Sequence, residues 1–128
     1  MDGSCICDAG LTGSNCNETD RGSGLILVAN GLDWSSGYSA DMNVFNFSEP
    51  SYQCSLPNYP FKMHAGMGGV VNGNVIVCGG NAGSDGDLKV CYRFDLTSDS
   101  WEYLADLPAT TAHAGYVPYN DALWVLGT

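Results

Sequence analysis

Positive charge is scarce in this 128-residue chain: four Lys and Arg stand against fourteen Asp and Glu, a formal net charge of -10. A field of that sign repels phosphate backbones and anionic lipid, so no nucleic-acid partner and no acidic membrane surface is expected. Long apolar runs are missing too. A spanning helix takes about 20 consecutive apolar residues, and no run here approaches that, so no direct membrane insertion is expected of this chain. Met1-Asp2-Gly3-Ser4 has neither the basic start nor the apolar core of a signal peptide. Charged residues make up only 14%, while glycine is abundant at 17. That balance suits a soluble domain with many tight turns, and the length suits about one domain.

The signatures of catalysis are also lacking. No Gly-rich phosphate loop precedes a helix, and no Gly-x-Ser-x-Gly elbow occurs. Ser84-Asp85-Gly86-Asp87 has a superficial likeness to a calcium loop, but without alternate-residue carboxylates and a closing Glu it reads as a polar turn. His64 and His113 sit in equivalent contexts 49 residues apart. Repetition points to a structural role, since a zinc site needs three or four converging ligands. No nucleophile–base pair has supporting spacing. The expectation is a protein that is not an enzyme and has no cofactor and no metal.

What the chain does contain is one recurring stretch. His64 to Gly80 reads HAGMGGVVNGNVIVCGG. Asn72-Gly73 is a strong two-residue hairpin signal, because both positions take positive φ readily. Val75-Ile76-Val77-Cys78 is apolar on both faces and so predicts a strand buried on both sides. The unit recurs: His113-Ala114-Gly115 repeats His64-Ala65-Gly66, and Leu123 to Gly127 repeats Val75 to Gly79 at a separation of 48. Leu25 to Ala29 fills the same slot upstream at 50. Phe45 to Tyr52 matches Phe94 to Trp101 at 49. Four short apolar segments per period of about 50 residues indicate propeller blades, an all-β fold of antiparallel four-stranded meanders.

These residues resemble the kelch repeat. The glycine doublet Gly79-Gly80, Tyr92 on the third strand, Trp101 at the start of the fourth and the exit Leu104 to Pro108 fit one copy. The preceding copy is degenerate: Ala29-Asn30 stands at the doublet, Asn43 at the tyrosine and Tyr52 at the tryptophan. The resemblance implies an incomplete propeller over 25–128, with blades at 25–56 and 64–104 and a shorter one at 113–128. It also implies a first strand lining a central channel and a fourth facing outward. His64, Gly66, Gly79, Gly80, Tyr92, Trp101, His113 and Gly115 are the expected blade-core positions. Some secreted enzymes similar to kelch propellers use copper with a Cys-Tyr cross-link, but Cys91 and Tyr92 are neighbours on opposite strand faces.

Residues 1–17 are of another kind. Cys5 to Cys16 reads C-x-C-x2-G-x2-G-x2-C, which resembles the second half of an EGF-like module, a small unit held by disulfides. That resemblance implies a Cys7–Cys16 pair and leaves Cys5 over. A zinc cluster is the rival reading, weakened by the lack of a fourth ligand at finger spacing. Residues 18–24 form a polar linker. Asn17-Glu18-Thr19 and Asn46-Phe47-Ser48 are N-glycosylation sequons. Cys78 and Cys91, on adjacent antiparallel strands, read as a disulfide, with two buried thiols as the alternative. Cys54 has either an unseen partner or a free thiol.

EGF-like modules ahead of kelch repeats resemble attractin-type and secreted kelch proteins. The implied function is extracellular, non-catalytic binding of a protein or glycan ligand through propeller loops, with 30–40 and 81–87 as the candidate surface. Both ends of the chain fall inside a unit, so a fragment of a longer extracellular protein is expected. An intracellular kelch scaffold that recruits a protein partner is the alternative, and the cysteine oxidation state discriminates the two.

Overall fold

A computed structural model describes residues 25–46, 53–95 and 97–127. Cys5, Cys7, Cys16, Asn17 and the linker lie outside the described residues, as do Tyr52, the side chains of Asn46 and Cys54, and the rest of the second sequon.

The described chain is all-β, with one three-residue 3-10 turn at Gly83–Asp85. β1 (Leu25–Asp33), β2 (Gly37–Asn46) and β3 (Gln53–Leu56) form one antiparallel sheet in chain order. β4 (Met67–Val71), β5 (Asn74–Cys78), β6 (Val90–Asp95) and β7 (Ser100–Asp106) form a complete four-stranded meander. β8 (Gly115–Tyr119) and β9 (Ala122–Leu126) make a two-stranded third sheet. The expected meander order is therefore present, and each sheet is consistent with a propeller blade or part of one.

The local chemistry accounts for the hairpins. Asn72 (φ 50°) and Gly73 (φ 77°) close β4 onto β5, and Asn120 (φ 51°) and Asp121 (φ 61°) do the same between β8 and β9. Two positive φ values in a two-residue loop match the right-handed strand twist. β5 is apolar on both faces because it is packed on both sides. Val75 and Val77 face Met42, Tyr59 and Met63, while Ile76 and Cys78 face Met67, Leu123 and Val125. These two clusters are the seams between neighbouring blades. Burying each such side chain contributes about 1.5–3 kcal/mol.

The linkers between blades are as regular as the strands. Gly31 N–H donates to Met63 O (3.0 Å), and 49 residues on Gly80 N–H donates to Thr111 O (2.9 Å). Met63 N–H to Ser39 O (3.1 Å) recurs as Thr111 N–H to Leu88 O (2.9 Å), and Tyr59 N–H to Ala40 O (2.9 Å) as Leu107 N–H to Lys89 O (2.7 Å). Each linker thus folds back across the end of its own blade.

This repeat corrects two expectations. The counterpart of Gly79-Gly80 in the first blade is Asn30-Gly31, not Ala29-Asn30. Asn30 has φ 58° and Gly79 φ 59°, so the separation is 49, not 50. Asn tolerates this left-handed backbone better than most residues, and its side-chain amide donates to Ser39 O and Phe61 O. The second correction concerns 30–40. It is not an irregular loop but the ends of β1 and β2 around a three-residue turn, Trp34–Ser36.

Candidate functional site

One end of the sheets gathers the β1–β2 turn, the β5–β6 loop and the starts of the β4 and β8 segments. The turn is built around Asp33, whose Oδ1 accepts from Ser35 N–H (2.7 Å) and Ser35 Oγ–H (2.6 Å). These bonds hold the Asp33 carboxyl below its ordinary range. They order a turn that carries Trp34 at 95% exposure. A large apolar ring in full contact with water on an ordered turn has no role in the core.

The β5–β6 loop is ordered by its own polar groups. Asn81 Nδ2 donates to Asp87 Oδ1 (2.7 Å), while Gly83 N–H donates to Asn81 Oδ1 (2.9 Å). Ala82 N–H donates to Gly86 O and Gly86 N–H returns to Gly83 O. The Ser84–Asp87 stretch is a hydrogen-bonded polar turn. The loop touches the first blade at Gly83, where an added Cβ would lie 2.7 Å from Tyr38 Cε2. Tyr38 stacks on His64 (5.0 Å between ring centres, 34°), and His64 meets His113 edge-on (5.4 Å, 81°). Backbone bonds hold the row: His64 and Asn81 exchange N–H···O bonds of 3.1 and 2.8 Å, and His113 N–H donates to Ala65 O. His64 Nδ1 is buried without a partner among the described residues. The two expected surface segments, 30–40 and 81–87, therefore meet at Tyr38 and Gly83.

Most of the expected blade-core residues fall in the seams. Tyr92 contacts Tyr59 and Phe61 at 5.7 and 6.1 Å. Trp101 contacts Tyr59 and Phe94 at 5.0 and 5.3 Å and donates its indole N–H to Pro57 O (3.0 Å). An added Cβ would meet Thr111 O at 2.3 Å from Gly79, Met63 Sδ at 2.5 Å from Gly80 and Met63 Cε at 2.7 Å from Gly66. Gly115 is different: its nearest such neighbour is 3.8 Å away, because it lies on the exposed strand β8.

Cys78 and Cys91 are disulfide-bonded, with Cα atoms 4.0 Å apart. They are direct cross-strand partners, and Gly79 N–H to Val90 O (2.9 Å) marks them as a non-hydrogen-bonded pair, where side chains lie closest. Cys91 is thereby committed, so it has no thiol for a cross-link to Tyr92. Among the described residues, no three His, Cys, Asp or Glu side chains converge as metal ligands would.

Sequence reasoning missed Tyr59. It is 2% exposed and sits between blades with its hydroxyl 3.4 Å from Val77 O. Burial pushes that hydroxyl's pKa up, and the neighbouring Tyr92 adds to the effect. Tyr59 lies in a linker flanked by Pro57 and Pro60, which reads as loop. Its signal is the 48-residue offset to Leu107, visible once linkers are aligned along with strands.

No curated protein matches the chain significantly. The Kelch motif family model matches residues 68–108, a span that begins in β4 and takes in all of β5, β6 and β7, so the complete four-stranded meander is the part of the chain similar to the Kelch motif.

Proposed function

We propose that this chain is a non-catalytic, extracellular interaction module that binds a protein partner through the end of its blades bearing Trp34, Tyr38 and the 81–87 loop. The carrying observation is Trp34, held almost fully in solvent by an Asp33-capped turn beside a second ordered loop. Exposed aromatic side chains on ordered loops are the usual anchors of protein interfaces. The Kelch motif supports an interaction role. The Cys78–Cys91 bond supports an oxidising compartment, where such bridges persist. The EGF-like pattern and the two sequons, at Asn17 and Asn46, point the same way.

Two measurements test the proposal. The chain is probed against an array of cell-surface and secreted ectodomains, and Trp34→Ala is expected to abolish the interaction found while leaving the melting temperature unchanged. Retained binding by that variant would remove this surface from consideration. The second is the mass of alkylated, unreduced protein from its native source. Free thiols at Cys78 and Cys91 there would favour an intracellular scaffold instead.

A further inference from the structure

Trp34 differs from the other two tryptophans in making no contribution to the fold. Trp101 donates its indole N–H to Pro57 O (3.0 Å), and Trp124 donates to Tyr119 O (3.0 Å). Trp34 makes no such bond among the described residues and stands 95% exposed. Its chain neighbour Asp33 is exposed too, as are Asp85 and Asp87 on the loop that meets Tyr38. The charge at this end is one-sided. Among the described residues the Lys and Arg side chains are Lys62, Lys89 and Arg93. Lys89 is paired with Asp106 and Arg93 with Glu102. No basic side chain among the described residues lies within ion-pair distance of Asp33, Asp85 or Asp87.

We propose that the partner segment docking on this end is basic, and that one of its arginines stacks on the Trp34 ring with its charge beside the Asp33 carboxylate. This rests on the reading of the Trp34 end as the binding surface and adds the chemistry of what binds there. Any surface that covers Trp34 also covers Asp33, one residue away in the same turn. A carboxylate taken out of water without a compensating charge is costly, so an apolar partner would lose at Asp33 much of what it gained at Trp34. A guanidinium satisfies both groups. Its plane stacks on the negative face of an indole, the ring that attracts cations best, and its N–H fork matches a carboxylate.

The rest of this end extends the same preference. The Asp85 carboxylate accepts no hydrogen bond among the described residues, while Asp87 is engaged by Asn81 Nδ2 (2.7 Å). Asp85 is therefore free to meet a second cation of the same segment. The net charge of -10 draws a basic partner in from a distance and repels an acidic one. Both effects weaken as salt is raised.

The test uses the full chain, a neutral oligosaccharide (maltohexaose) and three short peptides in which glycine alternates with arginine, glutamate or leucine. In titration calorimetry the arginine peptide is expected to bind and the other three probes not to. Its affinity should fall at least about tenfold between about 50 and about 300 mM salt. Trp34→Ala should weaken it about two- to fivefold, with Trp34→Phe between parent and alanine. Asp85→Asn should weaken it too, with an unchanged circular dichroism spectrum. An arginine peptide that binds parent and Trp34→Ala alike is held elsewhere and overturns the proposal, as does refusal of all four probes. Binding of the leucine peptide or the sugar that Trp34→Ala abolishes keeps this end as the binding surface but overturns a basic partner. An ectodomain whose capture ignores Trp34→Ala instead removes the surface itself.

Discussion

At the scale of single residues, small polar groups decide where this chain turns. Asp33 caps the turn that holds Trp34 out, and Asp95 accepts from Ser98 N–H (3.1 Å) and Thr97 N–H (2.6 Å) after β6. Both carboxyls titrate below the ordinary 3.8, Asp33 through its bonds from Ser35 and Asp95 through those from Ser98 and Thr97. A depressed folded-state pKa adds stability that is fully present above the unfolded value and is lost as pH falls through the folded one. Acid titration is therefore expected to loosen both turns below about pH 4, with Asp95→Ala lowering the melting temperature at pH 7 and flattening its acid limb. An unchanged acid limb in that variant would count against the capping role. Glycines separate by the same local reasoning. Gly79→Ala sets a Cβ 2.3 Å from Thr111 O at φ 59°, whereas Gly31→Ala meets nothing within 4 Å. The first should cost about 3 kcal/mol in denaturant unfolding and the second about 1 kcal/mol.

At the scale of elements, the complete meander is held by one covalent bridge and two seams. The Cys78–Cys91 bond closes the loop that carries Asn81–Asp87. Closing a loop of this length contributes about 2–3 kcal/mol through the unfolded chain. The paired substitution Cys78→Ser with Cys91→Ser is expected to lose that much in urea unfolding, and the loss should match that seen on adding reductant to the parent protein. Ion pairs contribute less here. Arg93–Glu102 (2.9 Å) and Lys89–Asp106 (3.1 Å) join β6 and the residue just before it to β7, but all four side chains are between 35% and 54% exposed, where such pairs add little.

At the scale of the whole molecule, the blades are joined in series, and the two outer faces are open among the described residues. On β8 and β9 the face turned from the second blade carries Val117, Tyr119, Trp124 (52% exposed) and Leu126 (61% exposed). The same positions in the second blade are covered by the third, through Leu123 and Val125 packed on Met67 and Cys78. An open apolar face of this kind drives association. Sedimentation should show concentration-dependent self-association that strengthens with salt, since the net charge of -10 opposes it. Trp124→Lys with Leu126→Lys should abolish it. An ideal monomer at all concentrations would show that this face is not adhesive.

Much of the fold was legible along the chain because its signals are local. Asn72-Gly73 takes positive φ wherever it sits, and a strand apolar on both faces, as Val75–Cys78 is, has no stable place except between two layers. The 49-residue spacing of His64 and His113 gave the blade period without any contact being known. Other features depend on distance in space. Tyr59 became core by packing between the first two sheets, and Asn30 rather than Ala29 took the glycine's place because hydrogen bonds from Gly31 N–H to Met63 O and from the Asn30 amide to Phe61 O reach across some thirty residues. The meeting of Tyr38 with Gly83 arises only when one blade is set against the next. Composition and turn chemistry therefore determined which segments are strands and how they alternate. Packing between blades decided which apolar faces are covered and which surface is left to bind, because burial is a property of neighbours and not of any one segment.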